Sequence, residues 1–133
     1  MVPGIAADTL ATYARRSSIK ILRNASSLQA VWHDRLRTAG LAFYEPGAVD
    51  IRRGLTVAID ATCLVLLKDS PEKLLISVSN PRNEQAAVQL DVGRSLAGDG
   101  VKVLDGPSRP RITFELPGGM KAGKSLTRSY APR

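Results

Sequence analysis

The sequence predicts an all-β fold, a small antiparallel β-sandwich of about nine or ten strands preceded by one short helix. Three observations support this prediction. Apolar and polar residues alternate along most of the chain, as they do in half-buried strands. Turn signals rich in Gly, Pro, Asn and Ser separate these runs at a spacing of about ten residues. The chain has 133 residues, of which 44% are hydrophobic, so it is long enough for one domain with its own core.

The helix is predicted over residues 6–16, ahead of the strands. Asp8 lies in its first turn, where a carboxylate interacts favourably with the helix dipole. Leu10, Tyr13 and Ala14 follow the i, i+3, i+4 spacing of a single apolar face. Two arginines follow at the carboxyl end, where cations are favoured, so the spacing and the charges agree on a helix.

From residue 18 onward the apolar spacing changes from a helical period to a period of two, which predicts strands. The predicted strands lie at residues 19–21, 28–34, 41–44, 55–59, 63–67, 74–79, 88–92, 101–103, 112–116 and 125–130. The run at 63–67 is apolar on both faces, which predicts a central strand covered on both sides. We therefore divide the chain into a lead-in segment with its linker helix, 1–17, and a β-sandwich domain, 18–133.

Composition excludes several classes of function. The single cysteine, Cys63, excludes an internal disulfide, and the single histidine, His33, excludes a multi-histidine metal centre. The longest apolar run is five residues, against about 20 for a membrane span. The sequence therefore predicts no metal, no cofactor and no membrane partner. Cys63 is interpreted as a core residue and His33 as a surface or packing residue.

The charge of the chain favours an anionic partner. Nineteen Lys and Arg against twelve Asp and Glu give a net charge of +7 and a pI near 10.1. Small clusters lie at Arg35 and Arg37 and at Arg52 and Arg53, and the carboxyl-terminal part is also basic. Nucleic acid is not predicted as the partner, because the six aromatic residues are few and several occupy core positions.

Exposed tyrosines beside cations are typical of sites that bind acidic sugars, and this pattern defines a set of candidates. The candidate carbohydrate-binding residues are Tyr44, Tyr130, Arg109, Arg111, Lys121, Lys124 and Arg128. The alternatives are tyrosines that pack against neighbouring elements and a basic surface that is simply solvated.

Residues 118–125 match the spacing of a phosphate-binding loop, with Gly, four residues and then Gly-Lys-Ser. That chemistry needs a buried parallel strand before the loop and a helix after it. Residues 126–130 have the pattern of a strand instead, so we interpret the match as chance. A phosphate-loop enzyme and a lyase with a rearranged site stay as enzyme alternatives.

Three passages resemble the start of the carboxyl-terminal domain of family 8 polysaccharide lyases, the hyaluronate, chondroitin and xanthan lyases. They are IKILRN at residues 19–24, LQAV at 28–31 and LAFYEPG at 41–47. The lead-in at 2–14 is similar to the passage that joins the middle sheet domain of these enzymes to their terminal domain. Residues 74–81 are similar to a late strand and turn of that terminal domain.

The resemblance implies a β-sandwich without catalysis of its own. In the family, the asparagine, histidine, tyrosine and arginines of β-elimination lie upstream of this region, so no catalytic residue is carried over. The implied role is to buttress the middle domain of a lyase that cleaves acidic polysaccharide, and to aid polyanion binding. The implied partners are that lyase's catalytic and middle domains, and the implied location is extracellular or periplasmic although no signal peptide is found. A stand-alone carbohydrate-binding module is the alternative.

Overall fold

The computed structural model describes Thr9 and residues 17–81, 86–93, 96–97, 101–103, 110–118 and 124–132. Twelve strands lie in these ranges. They are β1 Ile19–Asn24, β2 Leu28–His33, β3 Thr38–Phe43, β4 Gly47–Arg52, β5 Leu55–Ile59, β6 Cys63–Asp69, β7 Leu74–Ser79, β8 Ala86–Val92, β9 Leu96–Ala97, β10 Val101–Val103, β11 Pro110–Leu116 and β12 Leu126–Pro132. The helix predicted at 6–16 lies outside the described residues, apart from Thr9.

The strands form two sheets, and every pairing between neighbouring strands is antiparallel. One sheet has seven strands in the order β1-β2-β3-β6-β7-β12-β9, and the other has five in the order β10-β11-β8-β5-β4. The prediction of an all-β antiparallel sandwich is confirmed.

The core lies between the two sheets and is built from alternate residues of each strand. In β2, Leu28, Ala30 and Trp32 are buried, and in β5 Leu55, Val57 and Ile59 are buried. Burying a large apolar side chain stabilises a fold by about 1.5–3 kcal/mol, so this alternation fixes the register of each strand. The largest fully buried side chains include Phe43, Phe114 and Tyr130.

All ten predicted strands have a counterpart in the structure, which adds β4 and β9. No strand is predicted between residues 44 and 55, where Pro46-Gly47 has the composition of a turn, but β4 starts at Gly47 and has Val49 and Ile51 on its buried face. Residues 44–46 connect β3 to β4, and the amides of Tyr44 and Glu45 donate to the carbonyl of Ser27 at 2.9 and 3.3 Å.

The prediction for β6 is half right. The strand is central, because it pairs with β3 on one side and β7 on the other. It is not covered on both sides, since Leu64 is 44% exposed and Leu66 is 51% exposed. The reason is that the described part of the chain has two layers, so the second face of β6 is an outer surface. Cys63 is buried, as predicted.

Candidate functional site

The two predicted sugar-binding tyrosines lie at opposite ends of the sandwich. Tyr44 follows β3, the residue is 50% exposed, and its hydroxyl donates to Gln29 Oε1 at 3.2 Å. Tyr130 pairs with Leu74 at the start of β7 and is only 2% exposed. The Tyr130 ring therefore offers no face to a sugar in this structure, whereas the Tyr44 ring does.

The predicted cations are also dispersed. Arg111 lies on the outer face of the five-stranded sheet, where Nε and Nη2 donate to Asp91 at 2.7 and 2.9 Å. These hydrogen bonds raise the pKa of Arg111. Arg128 lies over the ring of Phe114 at 5.1 Å, and its Nη1 donates to the carbonyl of Thr113 at 3.0 Å. Lys124 is exposed, while Arg109 and Lys121 lie outside the described residues.

The elements around residues 118–125 are not those of a phosphate-binding loop. The strand before it, β11, pairs antiparallel with β8, and the segment after it forms β12 in the other sheet. Residues 119–123 themselves lie outside the described ranges. Since no helix follows Ser125, the flanking architecture matches the expectation that the motif is a chance match.

The fold brings together two arginines that belong to separate clusters in the sequence. Arg37 lies in the turn between β2 and β3, and Arg52 ends β4 in the other sheet. Both donate to Oδ2 of Asp69 at the end of β6, Arg37 through Nη2 at 3.0 Å and Arg52 through Nε at 2.8 Å and through Nη2. We call this end of the sandwich, with Arg37, Arg52, Arg53 and Asp69, the arginine end.

The geometry of the arginine end is held by the backbone as well as by charge. Arg37 Nε donates to the carbonyl of Asp69 at 2.7 Å, and the amide of Asp69 donates to the carbonyl of Arg37 at 2.8 Å. Arg37 has a φ of 49°, a left-handed conformation that a non-glycine residue adopts at a cost of about 1 kcal/mol. These hydrogen bonds offset that cost, so the guanidinium is fixed in place.

Burial differs sharply within this cluster. The Asp69 side chain is wholly buried, whereas the side chains of Arg37 and Arg52 are 45% and 36% exposed. A buried carboxylate must be paired, and two cations here share one anion. The arginine end therefore presents excess positive charge to solvent.

Sequence reasoning missed this cluster, although one signal for it is present. Cys63, Val65, Leu67 and Asp69 share the inward face of β6, so a carboxylate takes the next core position after three apolar residues. We ended the predicted strand at residue 67. Extending the alternation by two residues would have marked Asp69 as buried and in need of a cationic partner.

The two outer faces of the sandwich differ in character. On the five-stranded sheet the described outward residues are polar residues and alanines, and the polar ones form the Thr56–Asp50 hydrogen bond of 2.7 Å and the Arg111–Asp91 pair. On the seven-stranded sheet the exposed apolar side chains include Ile19, Ile21, Val31, Leu64 and Leu66. We call the part of this surface that β1, β2, β3 and β6 form the apolar face.

The apolar face is continuous across neighbouring strands. Ile21 pairs with Val31, Val31 with Gly40, and Gly40 with Leu66, so these four residues form one row across β1, β2, β3 and β6. Space above Gly40 is open, with no atom within 4 Å of the position a Cβ would take. A flat apolar surface of this kind on a small domain is typical of an interaction site.

An open groove of about 280 Å³ lies between β1 and the β4–β5 hairpin. Its lining is mixed in character and has no aromatic side chain. The lining residues are Leu22, Arg23, Ala48, Val49, Asp50 and Thr56. In the described ranges no group of three or more His, Cys, Asp or Glu side chains could hold a metal ion. None of the described residues forms a helix long and apolar enough to cross a membrane.

Comparison with known proteins gives consistent matches. The model of the family described as "Polysaccharide lyase family 8, C-terminal beta-sandwich domain" matches residues 20–89. The chain is 29% identical over 90 residues to a hyaluronate lyase of Thermasporomyces composti, a match covering 68% of this chain and 11% of the relative. It is 30% identical over 73 residues to chondroitinase-AC of Pedobacter heparinus, covering 55% of this chain and 10% of the relative.

The structure of a Paenibacillus xanthan lyase superposes with a TM-score of 0.79 at 24% identity, over 99% of this chain and 13% of that chain. This similarity shows that the two share a fold. The chain spans about a tenth of the length of the curated relatives it matches.

Proposed function

Because the chain belongs to the C-terminal β-sandwich domain family of the family 8 polysaccharide lyases, we propose that it is a non-catalytic supporting domain. The lyase it supports would cleave an acidic polysaccharide by β-elimination, outside the cell or in the periplasm. The domain buttresses the middle domain of that lyase and aids binding of the polyanion.

The observation that carries the supporting role is the apolar face. Ile21, Val31 and Leu66 lie in one row and expose their side chains, whereas the described part of the opposite outer face exposes only polar residues and alanines. A domain that functioned alone would gain nothing from an uncovered apolar sheet, because such a surface promotes aggregation. Covering it with another domain removes that apolar area from water, at roughly 25 cal/mol per Å².

The lengths of the relatives also support the role of a supporting domain. The chain matches about a tenth of each curated relative, so in those proteins most of the polypeptide lies outside the matched region. A non-catalytic role also agrees with the described residues. His33 accepts a hydrogen bond at Nδ1 from the amide of Leu36, and Cys63 is buried.

The supporting role is tested by the solution behaviour of the purified chain. With the apolar face uncovered, we expect concentration-dependent self-association in sedimentation velocity and binding of a hydrophobic dye under conditions where the chain is folded. A monodisperse monomer that binds no dye up to high concentration would contradict the proposal, since the face would then need no partner.

The second candidate function is a stand-alone module that binds acidic polysaccharide through the predicted tyrosines and cations. The exposed ring of Tyr44 favours it, and Lys124 lies at the same end of the sandwich, just before β12. Tyr44→Ala should then abolish saturable binding to the polysaccharide, while Tyr44→Phe should retain it. If both variants bound the polysaccharide as tightly as the parent chain does, Tyr44 would not belong to the site.

A further inference from the structure

We propose that the arginine end is a binding site for the carboxylate or sulfate groups of an acidic polysaccharide. Arg37 and Arg52 form its centre, and Arg53 lies beside them. None of these residues belongs to the tyrosine and tail-cation set predicted from sequence. The inference rests on the proposed function for the choice of polysaccharide, and on the geometry alone for the site.

The first step of the argument is preorganisation. Asp69 Oδ2 accepts from both guanidiniums, and the Asp69 carbonyl accepts from Arg37 Nε, so the two cations are held in fixed positions. An arginine that is already fixed loses less side-chain entropy when it binds an anion. The site is therefore built before the ligand arrives.

The second step is donor capacity. A guanidinium has five N–H groups, of which Arg37 uses two and Arg52 three in bonds to the described residues. Both side chains are also partly exposed. The remaining N–H groups can form the paired hydrogen bonds that guanidinium makes with carboxylate and with sulfate-like oxyanions.

The third step is the local charge. One carboxylate, Asp69, faces the two arginines. The turns at this end add the exposed cations Arg35, Arg53 and Lys73 and one exposed acid, Glu72. The acid nearest in sequence to Arg35 is Asp34, which is paired with Lys20 Nζ at 2.9 Å. An anion that approaches this end therefore meets an excess of positive charge, and salt screens the attraction.

The fourth step is the class of polyanion. Single-stranded nucleic acid would require exposed aromatic rings for stacking, and the two aromatic residues described near this end, Trp32 and Tyr130, are buried. A sugar acid needs no stacking platform, because paired guanidinium bonds recognise its charged group directly. Relatives of the chain are named for hyaluronate and chondroitin, both of which carry carboxylates.

The test is titration of the full chain with size-defined oligosaccharides of chondroitin sulfate and of hyaluronan, at low and at moderate salt. Three variants each remove one positive charge: Arg37→Gln, Arg53→Gln and Arg23→Gln. Arg23 is the matched control, because it is exposed and lies near the opposite end of β1. Arg53 is exposed and has no side-chain bond to Asp69, so Arg53→Gln keeps the test valid if Arg37→Gln fails to fold.

We expect Arg37→Gln to weaken binding by about fivefold or more and Arg53→Gln by about twofold to threefold, with Arg23→Gln near the parent value. Stronger binding of chondroitin sulfate identifies sulfate as the preferred group, and equal binding identifies the carboxylate. Equal loss in all three variants would overturn the proposal, because binding would then follow net charge. Binding of an acidic protein but of neither oligosaccharide would also overturn it.

The two proposals can fail separately. A chain that binds these oligosaccharides through Arg37 but stays monomeric and binds no dye would overturn the supporting role and leave the anion site standing. A chain that self-associates but binds no oligosaccharide at low salt would overturn the anion site and leave the supporting role standing.

Discussion

Arg52 and Asp69 join the two sheets of the sandwich, because the guanidinium at the end of β4 donates to the buried carboxylate at the end of β6. Most other contacts between the sheets are apolar packing contacts, which require no particular orientation of the side chains. This pair is directional, and Arg37 adds a second cation from the turn before β3. The relationship therefore bears on both the stability of the fold and the charge of its arginine end.

Replacement of Asp69 should destabilise the fold. In Asp69→Asn the wholly buried carboxylate that faces two guanidiniums is lost, and we expect the free energy of unfolding to fall by about 2–4 kcal/mol. The matched control is Asp91→Asn, which breaks a partly exposed pair with Arg111 and should cost less than about 1 kcal/mol. Urea unfolding measures both. Equal losses in the free energy of unfolding would show that Asp69 stabilises the fold no more than a surface ion pair does.

Replacement of Leu66 should reduce self-association. Leu66→Lys places a charge at the β6 end of the apolar row, and we expect the dissociation constant for self-association to rise by about tenfold. Gln89→Lys adds the same charge on the exposed outer face of β8 and should leave association unchanged. Sedimentation velocity compares the two variants. If both reduced association alike, net charge rather than the apolar face would be responsible.

Cys63 should be protected from thiol reagents in the folded protein. Burial first, and the charge of Asp60 second, raise the pKa of Cys63 from an ordinary value of 9.0 to about 12. At pH 8 the thiolate fraction is then smaller by roughly a thousandfold. We expect labelling with a disulfide reagent to be at least about a hundredfold slower in buffer than in urea. Comparable rates would place the thiol at the surface.

The same shift predicts the direction of one pH effect on stability. Because the folded-state pKa is raised, the neutral thiol's contribution is fully present below pH 9.0 and is lost as the pH rises toward about 12. Cys63→Ala removes the ionisable group, so the difference in stability between parent and variant should change above pH 9.0 and stay constant below it. A constant difference throughout would contradict the shift.

Asp34 should stay ionised at acid pH below the ordinary range of an aspartate. Its hydrogen bond with Lys20, followed by the bond from Trp32 Nε1 at 2.6 Å, lowers its pKa below the usual 3.8. A lowered folded-state pKa gives stabilisation above the unfolded value, which is lost as pH falls through the folded value. Trp32 is the single tryptophan, so its fluorescence reports this titration. Lys20→Gln should raise the midpoint, and an unchanged midpoint would remove Lys20 as the main cause.

The strands were predictable because burial imposes a period of two on them. Leu28, Ala30 and Trp32 show this period in the sequence and lie in the core in the structure. β4 was missed because Pro46-Gly47 has the composition of a turn, although Val49 and Ile51 continue the same period. The burial of Val49 and Ile51 follows the alternation and not the local composition.

The sites were harder to predict because they depend on strand order. Arg37 lies in a turn between two strands of one sheet and Arg52 lies in a strand of the other, and Asp69 at the end of β6 brings them to one carboxylate. Tyr130 shares the inward side of β12, where Leu74 is its neighbour, so its burial follows from a pairing that the sequence does not state. Alternation predicts which residues share a face, but not which face meets the other sheet.

The central claim, a supporting domain without catalysis of its own, is tested most directly by an activity assay. The purified and folded chain is incubated with chondroitin sulfate, hyaluronan and xanthan, and the ultraviolet absorbance of unsaturated sugar is followed. Slow labelling of Cys63 in the same sample verifies that the chain is folded. We predict no increase in absorbance with any of the three polysaccharides. A steady increase proportional to the amount of chain would contradict the claim and make the chain itself a lyase.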